Sequence, residues 1–232
     1  MAELTGGAHS SDQATLGNAF EWPIRDPDWI SKLLLMGLIG LIPIAGGLVL
    51  AGWMLAALDN LRAGRQEVPA ASFRYASRGV WLFLAGLIYG LVIAVVFYGG
   101  FFAITFGLTP PGPERRSSQV ALLFFPLMLG WMGFFGLLFL AIFVLVPLII
   151  EFTDRRGLGG AFNFGGFIRA FRANPRETLA AGGLALVTYF ISGTGTYLCY
   201  VGIVFTVPYA LLVLAGVLRW YEIRVKPGTL PA

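Results

Sequence analysis

The sequence predicts an all-α fold, a polytopic helical membrane bundle of about five to six membrane segments. Two observations predict it. Four long stretches carry no charged residue, between Lys32 and Asp59, Arg78 and Glu114, Arg116 and Glu151, and Glu177 and Arg219. Each reaches the roughly 20 residues that an apolar helix needs to cross a hydrocarbon core about 30 Å thick, and the last is long enough to cross twice. Hydrophobic residues make up 57% of the 232-residue chain and charged residues 12%, about half the roughly 25% charge of soluble domains. A soluble fold of this size cannot hide that much apolar surface.

Residues 1–20 are rich in Gly, Ser, Ala and Thr and read as a disordered polar tail. They lack a basic stretch followed by an apolar one, so they do not read as a cleavable signal. A single helical membrane domain is expected over 21–226, with a short tail at 227–232. Trp22 and Trp29 suit the headgroup level, and Asp28 is placed to cap a helix beginning at Trp29. The first run, 33–58, is interrupted by Pro43, Gly46 and Gly47, which break or kink a helix. Two readings follow. It is one kinked span, with the N-terminus outside, or a re-entrant hairpin, with the N-terminus inside. The distribution of lysine and arginine leans to the second.

The linker 59–79 carries Arg62, Arg65, Arg74 and Arg78, and Phe73, Ser77 and Trp81 among them suggest a short interfacial helix. A span over about 80–106 follows, then a proline-rich linker at 109–118, then a span over about 120–150 that Pro126 is placed to bend. The linker 151–177 interleaves Phe162, Phe164, Phe167 and Phe171 with glycine and arginine. The last run, 178–218, reads as a hairpin turning near Ser192-Gly193-Thr194-Gly195. Trp220 and Tyr221 anchor its exit.

These motifs resemble a prokaryotic membrane family catalogued as domain of unknown function 4013. The resemblance rests on Trp29 and Lys32, the break Ile42-Pro43-Ile44, the pair Gly52-Trp53, Glu67-Val68-Pro69, Ile88-Tyr89, Ala161-Phe162, and Asn174-Pro175 before the final hairpin. It covers about residues 20–225, and the order of the motifs carries it. The chain departs from the pattern after Asn174-Pro175, where Arg176-Glu177-Thr178 stand in place of an aromatic. The resemblance implies the architecture and a prokaryotic plasma-membrane location. It implies no activity.

Composition narrows the function classes. The chain holds one histidine, His9, and one cysteine, Cys199. That count excludes an intramolecular disulfide, a Cys/His metal site and a His/Cys catalytic pair. No ionisable residue interrupts the four runs, whereas proton-coupled carriers and intramembrane enzymes place such groups at depth. Asp59 at a run's edge reads as solvated, and Asn163 and Asn174 read as turn or cap residues. The net charge of +4 is arginine beside membrane runs, which sets orientation and argues against nucleic acid. Both basic linkers, 59–78 and 151–177, and the C-terminus fall on the cytoplasmic side. Arg74, Arg78, Arg169, Arg172 and Arg176 are candidates for anionic-lipid contact. Gly86, Gly90, Gly130, Gly133 and Gly136 form a candidate helix-packing face, toward the rest of this fold or toward another subunit. Thr188, Ser192, Thr194, Thr196 and Thr206 either line a polar path or bond back into their own helices. No catalytic residue, cofactor or metal is implied. A non-enzymatic scaffold or interaction subunit, partnered by membrane lipids and by itself or other membrane proteins, ranks ahead of a channel or carrier for a small neutral or lipid-like solute. An interfacial enzyme ranks last.

Overall fold

The computed structural model describes residues 16–107, 117–197 and 201–225. Nine α-helices lie within them: α1 Leu16–Glu21, α2 Trp29–Gly40, α3 Ala45–Arg62, α4 Ala76–Gly107, α5 Ser117–Arg156, α6 Leu158–Ala161, α7 Phe164–Ala173, α8 Pro175–Tyr197 and α9 Ile203–Arg224. Short 3-10 turns cover Trp22–Arg25 and Phe73–Tyr75. No strand occurs among the described residues. Four helical segments are long and apolar enough to cross a membrane: Phe73–Phe106, Phe124–Arg156, Pro175–Tyr197 and Ile203–Arg224. The fold is an all-α polytopic bundle.

The first apolar run is a hairpin. Helix α2 ends at Gly40, and the chain turns through Pro43 and Ile44 before α3 begins. Ile44 has φ of 64°, a conformation that a β-branched residue rarely adopts. Gly46 secures the turn because a side chain there would run into the carbonyls of Ile39 and Gly40. Gly47, also expected at the break, instead lies under the Phe83 ring. The two arms are about 18 Å and 27 Å long at 1.5 Å per residue, and the second ends in the charged turn of Asp59 and Arg62. Neither arm matches a full bilayer crossing.

A clasp closes the open end of this hairpin. Buried Asp26 accepts hydrogen bonds from Lys32 Nζ at 2.7 Å, from the Val68 N–H at 2.8 Å and from the Asp28 N–H at 2.9 Å. Arg25 donates to Gln66, and buried Trp53 donates its indole N–H to the Pro69 carbonyl at 2.9 Å. The segments before α2 and after α3 therefore stand at the same level. Helix α2 starts at Trp29 as expected, but Asp28 supplies no side-chain cap. Asp26, two residues earlier, holds the entry instead.

Helix α1 lies inside the stretch expected to be a tail. Its start is ordered because Ala19 is buried against Gly216, Tyr209 donates to the Phe20 carbonyl, and Trp22 donates to the Leu212 carbonyl at 3.1 Å. Residues 1–15 lie outside the described residues.

The described chain divides into two compact units: residues up to Ala85 together with those from Phe143 onward, and Gly86–Ile142. In the first unit α9 is central. Leu212, Ala215 and Leu218 face a core with Leu33, Met36, Trp53 and Leu58. Val213, Val217 and Tyr221, on its other face, join Leu148, Phe152 and Phe167. The hairpin arm α3 meets the start of α4 at Gly52 and Gly79, where a side chain on either would strike the other helix's backbone. Such close approach is how helices associate in a solvent as apolar as their own side chains. The interfacial helix expected near Phe73 is one 3-10 turn that runs directly into α4.

Helix α8 passes through Ser192-Gly193-Thr194-Gly195 without turning, so the reversal falls after Tyr197. The hydroxyls of Ser192 and Thr194 bond back to the Tyr189 and Ile191 carbonyls, each at 2.7 Å, and Thr188 does the same to Ala185. Thr206 reaches across to the Ser192 carbonyl at 3.0 Å. These hydroxyls satisfy backbone groups and stay with the helices.

The second unit, Gly86–Ile142, consists of stretches of α4 and α5 joined by aromatic contacts. Phe97 meets Phe135 edge-on at 4.8 Å, and Trp131 lies against Phe135 at 4.9 Å. Helix α5 continues through Pro126. Residues 109–116 of the proline-rich linker lie outside the described residues, and its last two, Ser117 and Ser118, open α5.

The clasp has a pH signature. Burial opposes the charge on Asp26, but the bonds from Lys32 and the two backbone N–H groups outweigh it and hold its pKa below the usual carboxylate value. Its contribution is complete above the unfolded value of about 4 and fades as pH falls through the lowered folded value. Replacing Asp26 by Asn is expected to cost about 1–3 kcal/mol at pH 7. The gap between wild type and Asp26→Asn in detergent unfolding experiments should shrink as the pH approaches 3, about one unit below that unfolded value.

Candidate functional site

Charged residues that flank the apolar runs converge on one guanidinium. Arg62 sits in the last turn of α3, where its positive charge also suits the helix C-terminus. It bonds Asp154 at 2.7 Å, Asp59 at 3.2 Å, Glu151 at 3.3 Å and Glu222 at 2.6 Å. Helical spacing brings these partners together. Glu151, Asp154 and Arg155 occupy one face of α5 at positions i, i+3 and i+4, and Arg219 and Glu222 share a face of α9. Arg78, in the first turn of α4, pairs with Asp59 and with Asp154. Arg155 bonds both Glu151 and Glu222, and Arg219 bonds the second oxygen of Glu222 at 3.3 Å.

The cluster holds as many arginines as acids: Arg62, Arg78, Arg155 and Arg219 face Asp59, Glu151, Asp154 and Glu222. The Glu151 side chain is 0% exposed, that of Glu222 6% and that of Asp154 8%. Removing three carboxylates from water is tolerable only with charge partners, and each of the three has at least two arginines. Only arginine, with five donors in a planar fork, can serve four carboxylates at once. The cluster fastens α3, α4, α5 and α9 at one end. Beside it a cleft of about 340 Å³ is lined by Ser77, Arg78, Trp81, Thr153 and Asp154, among others.

The runs are free of charge as their sequence shows, yet Glu151, Asp154 and Glu222 close to their margins have buried side chains, and composition did not reveal this. Asp59, expected to be solvated, is 37% exposed and also has two arginine partners. The signal was present in the local pairs Asp59/Arg62, Glu151/Arg155 and Arg219/Glu222 at spacings of three and four.

The basic residues singled out in the sequence separate into two kinds. Arg78 belongs to the cluster, and Arg74 lies 5.0 Å over the Tyr75 ring and donates to its hydroxyl. Arg169, Arg172 and Arg176 are exposed on α7 and the start of α8. Asn163 caps α7 by accepting from the Gly166 N–H, and Asn174 ends it. All five candidate packing glycines, Gly86, Gly90, Gly130, Gly133 and Gly136, are exposed, with open space where a Cβ would stand.

A family model described as "Protein of unknown function (DUF4013)" matches residues 35–218. The chain belongs to the DUF4013 family. No curated protein and no solved structure matches it. In this DUF4013 protein the motifs behind the resemblance perform identifiable work. Lys32, Val68, Pro69 and Trp53 build the clasp, Gly52 admits α4, and Asn174-Pro175 ends α7 and opens α8.

Replacing Arg62 by Gln should take from Glu151, Asp154 and Glu222 the arginine they share, leaving each its other arginine, and cost about 3 kcal/mol, the low end for a broken buried pair. Arg78 is 40% exposed, and Arg78→Gln should cost at most about 1 kcal/mol. Thermal unfolding of both variants in the same detergent checks the ranking.

Proposed function

We propose that this DUF4013 protein is a non-enzymatic scaffold or interaction subunit of a membrane assembly. The observation that carries the reading is the exposed glycine series on the Gly86–Ile142 stretch. Small residues at spacings of three and four let helix backbones approach closely, and among the described residues nothing lies within 4 Å of where a Cβ would stand on Gly86, Gly90, Gly130, Gly133 or Gly136. The charge cluster supports the same reading. Its acids are matched to arginines that hold helix ends, so they have a structural role that calls for no substrate.

A second reading, a carrier or channel for a small neutral or lipid-like solute, draws on one feature. A largely apolar groove of about 190 Å³ is lined by Phe143, Val146, Thr188, Tyr189, Ser192 and Leu211, among others. Solute flux in proteoliposomes promotes this reading over the first.

The scaffold reading expects a homo-oligomer or co-purified membrane partner in mild detergent. Gly86→Leu combined with Gly90→Leu should dissociate that assembly while leaving a folded monomer, seen by native mass spectrometry. A wild-type chain that is monomeric and solitary after mild extraction rejects the reading.

For location we propose a prokaryotic plasma membrane with the clustered, arginine-rich end in the cytoplasm, following the bias of basic residues. An impermeant thiol reagent should then label Ser72→Cys in inverted vesicles and not in intact cells.

A further inference from the structure

We propose that α7 with the first turn of α8 is a docking site for anionic lipid of the surrounding bilayer. Helix α7 is amphipathic in an unusual sense: both its apolar and its basic side chains reach the surface. Its inner face is fixed, with Phe167 buried edge-on against Phe152 at 5.1 Å and Ala170 buried beside it. At about 100° per residue, the outer arc runs from Phe164 through Ile168 and Arg172 to Arg169, a sweep of about 140°. Phe164 and Ile168 are each 53% exposed.

The charge on this arc has no match among the described residues. Among the described residues Arg169, Arg172 and Arg176 stand in no ion pair, unlike Arg62, Arg78, Arg155 and Arg219, which take up the acids of the cluster. From Arg156 to Arg176 the chain contains no acidic residue, and Glu177 is the next. Ten residues span only about 15 Å, so α7 cannot cross a bilayer. It links the charged end of α5 to the start of α8, at the level where membrane helices meet water. A short helix there, with phenylalanine and isoleucine on one side of its open face and arginine on the other, sets rings among acyl chains and guanidiniums at the phosphates. Arginine's planar fork suits bidentate bonding to a phosphodiester. The apolar half of the arc selects a lipid over a free anion.

The full-length protein in neutral detergent is titrated with phosphatidylglycerol and, in parallel, with phosphatidylcholine of the same chain length, and bound lipid is counted by native mass spectrometry. Preferential retention of phosphatidylglycerol is expected, weakened roughly fivefold for each arginine changed to Gln at low salt. Arg169→Lys with Arg172→Lys and Arg176→Lys should retain most of the preference, and Phe164→Ser with Ile168→Ser should weaken binding of both lipids. Equal retention of the two lipids by the wild type, or unchanged preference in Arg169→Gln/Arg172→Gln/Arg176→Gln, overturns the proposal. So does displacement by inorganic phosphate beyond that by chloride at matched ionic strength, which marks a free-anion site. If the triple variant does not fold, the three single Gln variants decide, and no weakening in any of them overturns it.

Discussion

The arrangement of this protein depends on the guanidinium of Arg62. Four helices end around it, drawn from positions as far apart in the chain as Asp59 and Glu222. Apolar packing alone does not set the register of helices in a membrane, because lipid tails are as apolar as the side chains they would replace. A buried carboxylate does set it, since displacement by a few ångströms leaves a charge without a partner at several kcal/mol (about 3–5). Glu151, Asp154 and Glu222 each have such a requirement, and one arginine meets all three. The level of α3 is thus tied to those of α5 and α9.

The hairpin shows the same logic in backbone groups. An irregular turn at membrane depth is tolerated only where protein covers it or its polar groups are bonded. The Gly46 N–H donates to the Ile42 carbonyl at 2.8 Å, and the Ala45 N–H to Pro43 at 2.7 Å. At the open end the Asp26 clasp closes the loop that the turn began. The two arms then lie on α9, and α4 is admitted at Gly52 and Gly79 only because neither position carries a side chain.

Much of this was legible in the sequence, for identifiable reasons. Helix-length uncharged runs announce spans, and Pro43 with Gly46 announced a break, because these signals are local. Choosing between a kink and a hairpin required knowing that Asp26 meets Val68, a contact across 42 positions. The turn expected at Ser192–Gly195 reflects a rule learned in water, where glycine and serine favour reversals. In α8 the hydroxyls bond one turn back and the helix continues. The order at Leu16–Glu21 was hidden because a small polar-looking stretch gains its stability from Gly216 and Tyr209, nearly 200 positions away.

The arginines carry the largest lesson about reading such a chain. Counted together, they give a single statement about orientation. Resolved in space, they divide by what lies within 4 Å. Arg62, Arg78, Arg155 and Arg219 are matched by acids and belong to the fold's internal electrostatics. Arg169, Arg172 and Arg176 face outward on a stretch without an acid. A matched arginine contributes little field beyond its partner, because the pair is a short dipole. An unmatched one keeps its full charge for whatever lies opposite. The net charge of +4 is therefore not spread over the surface. Around the cluster arginines and acids are matched in number, and from Phe164 to Arg176 the chain presents exposed arginine and no acid.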